Sequence, residues 1–310
     1  MKKLLTIAIA MMAAAGAMAQ SKVYFTKEIT PESLVKVYKA LGVEPTGRVA
    51  VKISTGEPGG HNYLKPTLIR NLVDEVKGTI VECNTAYGGR RNTSAEHRKA
   101  IHEHGFDSIA RVDIMYEEGN MNIPVKDTTH IKYDIVGSHL ANYDFMVNLA
   151  HFKGHAMGGF GGVLKNASIG VASADGKAYI HTAGKVQSPK ELWQNLPAQD
   201  YFLESMAAAA QGVHDYMKGR VVYINVMNNM SVDCDCCEIA EDPCMADMGI
   251  LVSTDPIAID QACIDLVYGC DDPGKAHFLE RVESRNGVHT IEAAAALGFG
   301  SREYTLVKVD

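Results

Sequence analysis

The sequence predicts an α/β fold: a mostly parallel sheet with flanking helices, arranged as two lobes around a cleft. Two patterns carry that prediction. Short apolar runs alternate with helical ones between Arg48 and Phe106, which is the β-α-β-α order of a helix-covered parallel sheet. The same alternation restarts after residue 198, past a glycine-rich stretch that separates the halves.

Taken in order, RVAVKIS reads as a strand, YLKPTLIRNLVDEVK as a helix, TIVEC as a strand and TSAEHRKAIHEHGF as a helix. Further strands are predicted at residues 109–115, 130–135 and 144–148. LAHFKGHAMGGFGGVLKNASIG then packs six glycines between Gly154 and Gly170 and reads as a functional loop, not a regular element. QDYFLESMAAAAQGVHDYMK is a helix, RVVYINVM a strand and GILVS another. Asp255 as N-cap and Pro256 at the first helical position open the next helix. Helical segments at 274–285 and 290–297 and a strand TLVKV close the chain.

The first residues, MKKLLTIAIAMMAAAGAMAQ, carry two lysines, an apolar run and Ala-Met-Ala before Gln20. This pattern predicts a Sec signal peptide over residues 1–19, cleaved after Ala19, and a periplasmic or secreted protein. The apolar run is shorter than the ~20 residues a spanning helix needs, so no membrane span is expected after cleavage. Residues 20–310 then form a single α/β domain, with lobes at 20–150 and 151–310. Loss of Lys2 and Lys3 leaves 28 basic and 37 acidic side chains, a formal charge of −9, which argues against nucleic acid as a partner.

Two stretches carry chemistry. In VDCDCCEIAEDPCMADMG, Cys234, Cys236, Cys237 and Cys244 fall within eleven residues between two predicted strands. Thiolates are soft donors that suit an iron-sulfur cluster or a single Zn, Fe or Ni ion. Neighbouring side chains point apart, so three of the four are the expected ligands, with a histidine, aspartate or water completing the shell. Disulfides are the rival reading, because an exported chain meets an oxidising compartment. Cys83, Cys263 and Cys270 sit in apolar contexts and read as core fillers.

In the glycine-rich stretch, His151, Lys153 and His155 alternate at a spacing of two, which places them on one face if the strand continues. They are candidate catalytic residues together with Lys165. Gly158, Gly159, Gly161 and Gly162 let backbone N–H groups approach an anion, a carboxylate or phosphate, that Lys165 neutralises. Glu57, His61 and Lys65 after the first strand, and Tyr87, Arg90 and Arg91 after the second, are further residues able to reach the cleft. His97, His102 and His104 lie in a helix among charged residues and read as surface positions.

Together, NLAHFKGHAMGGFGGVLKNASIG and the cysteine stretch followed by DMGILVSTDPIAIDQACIDLV resemble the DUF362 family, often labelled iron-sulfur-centre proteins. The resemblance runs from VYFTKE to the closing strand and implies a 4Fe-4S cluster or other metal. The loop also looks like the substrate-side loop of nickel-dependent lactate racemase. That likeness implies acid/base or metal-binding roles for His151 and His155, and a cofactor or anion partner in Lys153 or Lys165.

The leading expectation is an exported metal- or iron-sulfur-binding protein acting on a small anionic molecule by redox or proton-transfer chemistry. The alternative is a non-catalytic periplasmic binding protein for an anion or metal, stabilised by disulfides.

Overall fold

The computed structural model describes residues 20–309. The expected signal peptide lies outside them. The first half comprises β1 (Ser21–Thr26), α1 (Pro31–Ala40), β2 (Val49–Lys52), α2 (Pro66–Glu75), β3 (Thr79–Glu82), α3 (Ser94–Glu103) and β4 (Val112–Ile114). A side hairpin of β5 (Asn120–Ile123) and β6 (Asp134–Gly137) follows, then β7 (Phe145–His151). The glycine-rich stretch folds as β8 (Lys153–His155), β9 (Gly159–Gly161) and α4 (Val163–Ala167). After α5 (Ala174–His181) and α6 (Gln199–Tyr216) come β10 (Val221–Met227), β11 (Gly249–Ser253), α7 (Pro256–Gly269), α8 (Lys275–Ser284), α9 (His289–Ala296) and β12 (Tyr304–Lys308).

Eight strands form one sheet in the order β12-β1-β11-β10-β7-β2-β3-β4. The run β10-β7-β2-β3-β4 is parallel throughout, and only the two pairings of β11 are antiparallel. The fold is therefore α/β with a mostly parallel sheet, as the alternating pattern predicts. Both predicted halves contribute to this one sheet, since β7 sits between β2 and β10.

Side chains alternate across the sheet with the period of two that strands impose. Ala50, Met146, Tyr223 and Leu251 enter the core on one face, while Val51, Val147, Ile224 and Val252 enter the core on the other. Burial of both faces explains why these strands read as continuous apolar runs. Asp255 caps α7 as expected, its carboxylate accepting from the N–H groups of Ile257 and Ala258 at 2.9 and 3.0 Å.

Two expectations are corrected. The glycine-rich stretch is regular: a short hairpin and a one-turn helix replace the predicted loop, because Phe152 and Phe160 stack into the core 5.5 Å apart. His97 is not a surface residue but fully buried, held by Thr55 Oγ1 at 3.1 Å and Asn84 Oδ1 at 3.0 Å. Burial pushes its imidazole down to about 3, so it packs as a neutral ring.

Candidate metal centre and anion cavity

Because β3, β2, β7 and β10 are parallel, the segments that leave them emerge at the same edge of the sheet, where ligands bind in open α/β folds. The segments after β7 and β10 are the HFKGH stretch and the cysteine stretch, so topology alone brings the two motifs together. A narrow cleft, partly open to solvent, lies at this edge. Its walls include Lys52, Glu82, Arg91, Lys153, Lys165 and Lys177, with Cys83, Tyr87, His151 and Cys236 also facing it.

Asp235 joins the two motifs. Its carboxylate accepts from His151 Nδ1 at 2.7 Å and pairs with Lys153 Nζ at 3.1 Å, all three side chains being almost wholly buried. Burial alone would raise an aspartate, but His151 and Lys153 hold Asp235 down at about 2. The other nitrogen of His151, Nε2, faces the carbonyl of Asn228 at 2.5 Å. Both nitrogens thus face protein acceptors, so neither is directed at a metal or a substrate.

His155 is committed differently. Its Nδ1 accepts from the backbone N–H of Gly158 at 2.8 Å and of Met157 at 3.2 Å, which leaves its Nε2–H to donate to Cys234. Lys165 Nζ also donates to Cys234 Sγ, at 3.2 Å. Cys234 lies well below the usual thiol range, through the Cys236 hydrogen bond first and then Lys165, Lys153 and His155, against the opposing effect of burial. Lys165 is raised: burial, the largest single cause, lowers it, but Cys234, Cys236 and Asp235 together outweigh that cost.

One donor atom from each of His155, Cys234 and Cys236 lies within 4.8 Å of the other two, a cluster able to hold a metal ion. Cys237 is the next residue in sequence and is not part of this cluster. Cys244 does not join it either. It lies across the loop, its N–H and Sγ both on the carbonyl of Met230 at 3.0 and 3.4 Å. The geometry fits a thiolate-bound ion with Cys234 and Cys236 as the clustered sulfur ligands. His155 fits that centre as an N–H donor to sulfur, because binding metal through Nε2 while Nδ1 accepts two N–H groups would require an imidazolate.

The four candidate glycines separate. Gly162 lines the cleft, and a Cβ there would stand 2.3 Å from Asp260 Oδ1. The N–H groups of Val163 and Leu164 donate to Asp260 at 2.9 and 3.0 Å, and that of Gly158 donates to His155, so none of these is left for an anion. Gly159 and Gly161 are paired within the hairpin, and Gly159 takes a φ of 78° where it backs onto Gly287.

Side chains after β2 and β3 supply the rest of the cleft. Glu82 pairs with Lys52 at 3.4 Å and Arg91 at 3.4 Å, and Arg91 also binds Glu57 at 3.0 Å. Burial would raise Glu82, but Lys52 and Arg91 pull it down to about 2. Exposed His61 pairs with Asp242 at 3.2 Å, Lys65 lies over the ring of Tyr63, and Arg90 binds Glu103 at 2.6 Å. The sequence reading missed Lys52, Glu82, Lys177 and Asp235. Asp235 had a signal: it is the acid between Cys234 and Cys236, facing a stretch with two histidines and a lysine.

Comparison with known proteins gives the family. The chain belongs to the family described as Domain of unknown function (DUF362), which matches residues 49–265. No curated protein matches it. Among solved structures it is similar to the lactate racemase apoprotein from Thermoanaerobacterium thermosaccharolyticum, at 14% identity and a TM-score of 0.39, covering 67% of this chain and 50% of that one. It is also similar to a protein from Thermotoga maritima, at 13% identity and a TM-score of 0.41, covering 87% of this chain and 59% of that one. The chain thus spans between half and three fifths of the length of these two structures.

Proposed function

We propose that the protein is an exported metalloprotein that holds one soft transition-metal ion, zinc, iron or nickel, on Cys234 and Cys236, and binds a small anionic molecule in the adjoining cleft. The observation that carries this reading is the placement of Cys236. It belongs both to the cluster of soft donors and to the wall of a cleft whose other side chains are mostly cations. Two clustered sulfurs favour a single ion over a four-iron cluster, which takes four cysteine ligands.

The charges support it. Lys165, whose ammonium meets sulfur instead of a carboxylate, helps hold Cys234 as the thiolate that a metal needs. When bound, such an ion would supply Lewis-acid or one-electron chemistry at the edge of the cleft. The chain's own groups set the rest. His151 and Lys153 fix the cysteine loop through Asp235, His155 and Lys165 donate to Cys234, and the lysines and Arg91 attract the anion. A proton exchange between His151 and His155 is not part of this reading, because the nitrogens of both rings are already engaged. Export rests on the N-terminal sequence pattern.

Purification without oxygen, with metal analysis and a thiol count, tests the reading. One equivalent of metal, with Cys234 and Cys236 protected from thiol reagents until a chelator is added, supports it. A metal-free protein with two titratable disulfides overturns it and favours the disulfide-stabilised binding protein.

A further inference from the structure

Five cations line the cleft, and they are not equivalent. Lys52 directs its ammonium at three acceptors: the carbonyl of Ile53, Glu82 at 3.4 Å and Asn166 Oδ1 at 3.2 Å. Arg91 is paired with Glu57 and Glu82, Lys153 with Asp235, and Lys165 with the Cys234 sulfur. Lys177, on α5, is 5% exposed and forms no ion pair among the described residues. Its single hydrogen bond is to a neutral group, the carbonyl of Ala172, at 2.6 Å. A buried lysine with one neutral acceptor and no ion pair is the setting in which an amine becomes a nucleophile.

We propose that Lys177 captures a small 2-oxo acid as an imine, its Nζ bonding to the carbonyl carbon while Lys165, across the cleft, holds the carboxylate. This rests on the anion-binding part of the reading above and not on the metal. The amine nitrogen attacks the carbonyl carbon, and the carbonyl oxygen leaves as water with the two amine protons. No oxidant or reductant is consumed. Burial first, and then the nearby charges of Lys52 and Arg91, push the Lys177 ammonium down to about 8, although Cys83 and Glu82 act in the opposite direction. The neutral amine is thus populated near neutral pH. Lys165 spends one N–H on sulfur and keeps two for a carboxylate.

Incubating the full chain with pyruvate or glyoxylate and sodium cyanoborohydride traps an imine as a stable secondary amine, which peptide mass spectrometry locates. The expected result is a saturable label at Lys177 whose rate rises with pH to a plateau above about 8. The label is lost in Lys177→Arg and suppressed by excess acetate. A label spread over surface lysines without saturation, or absent from Lys177, overturns the proposal. Because the wild-type chain alone decides this, a variant that misfolds does not obscure the answer. Calorimetry with acetate separates the two readings: binding without trapping sinks the imine but spares the anion cleft, while no binding and no trapping sinks both.

Discussion

The glycine-rich stretch and the cysteine stretch form facing walls of one site, yet they are held in opposite ways. Residues 151–166 are built from the end of β7, a hairpin and α4, with Phe152, Phe160, Val163 and Leu164 in the core. Residues 231–248 contain no helix or strand, only an isolated bridge between Met230 and Met245 at their margin. Contacts from elsewhere position them: Arg281 on the carbonyl of Val232 at 2.7 Å and on Asp233 at 2.9 Å, the Gly154 N–H on Ser231, and His151 and Lys153 on Asp235. One wall is fixed by packing; the other buries Val232 and Met245 but is otherwise held by charge and hydrogen bonds. The metal-competent sulfurs therefore depend on a few ionic contacts more than on the core.

The sharpest way to break this contrast is Asp235→Ala. It strands His151 and Lys153 without their shared anion and should cost roughly 3–5 kcal/mol by denaturant unfolding. A cost below about 1 kcal/mol, within the range of an exposed pair, would refute the claim that charge holds the loop. The pH dependence has a definite sign. Asp235 is depressed in the folded state, so its stabilisation is full above the ordinary carboxylate range and is lost as pH falls from about 4 toward about 2.

Asp260→Ala on the packed wall acts on the same scale. It removes the acceptor for the N–H groups of Val163 and Leu164 and for Asn225 Nδ2, and should cost about 1–3 kcal/mol per group left unsatisfied. Gly154→Ala acts on the seam between the walls, since a Cβ there would stand 2.3 Å from the carbonyl oxygen of Val232. Forcing the two apart should cost roughly 1–3 kcal/mol and weaken metal uptake. Gly158→Ala meets its nearest neighbours at 3.4 Å and should be tolerated. Equal behaviour of the two variants would remove the seam from the account.

The last effect lies away from both walls and is confined to neutral and higher pH. Asp134 on β6 is wholly buried, neither oxygen has a hydrogen-bond partner, and burial pushes it up to about 7. Its folded pKa is raised, so its contribution to stability is full below about 4 and is lost as pH rises through about 7. Asp134→Asn should stabilise the protein by roughly 4 kcal/mol at pH 8 and leave it unchanged at pH 4, as unfolding at the two values would show.

The contrast between the walls also sets how much was legible in the sequence. Strands buried on both faces announce themselves as apolar runs, and GILVS and the Asp255-Pro256 helix start were read to the residue. HFKGH and the cysteines stood out because glycine, histidine and cysteine are rare in such density. The buried ion network did not stand out. Lys52 ends a strand as any polar residue might, and its partner Glu82 lies thirty residues on in the neighbouring strand, so no local spacing links them. His97 had a readable sign, since Ala100 and Ile101 follow it at the spacing that shares a helix face, and all three are buried. Lys177 had none: the groups around it, Lys52, Glu82, Cys83 and Arg91, come from segments far away in sequence.

The most direct test of the central claim is a cobalt(II) titration of the reduced protein, followed by its near-ultraviolet sulfur-to-metal charge-transfer band, in the wild type and in Cys234→Ser and Cys244→Ser. The account predicts one equivalent bound with that band in the wild type and in Cys244→Ser, and loss of both in Cys234→Ser. Equal binding in all three, or a loss in Cys244→Ser as complete as in Cys234→Ser, would contradict it.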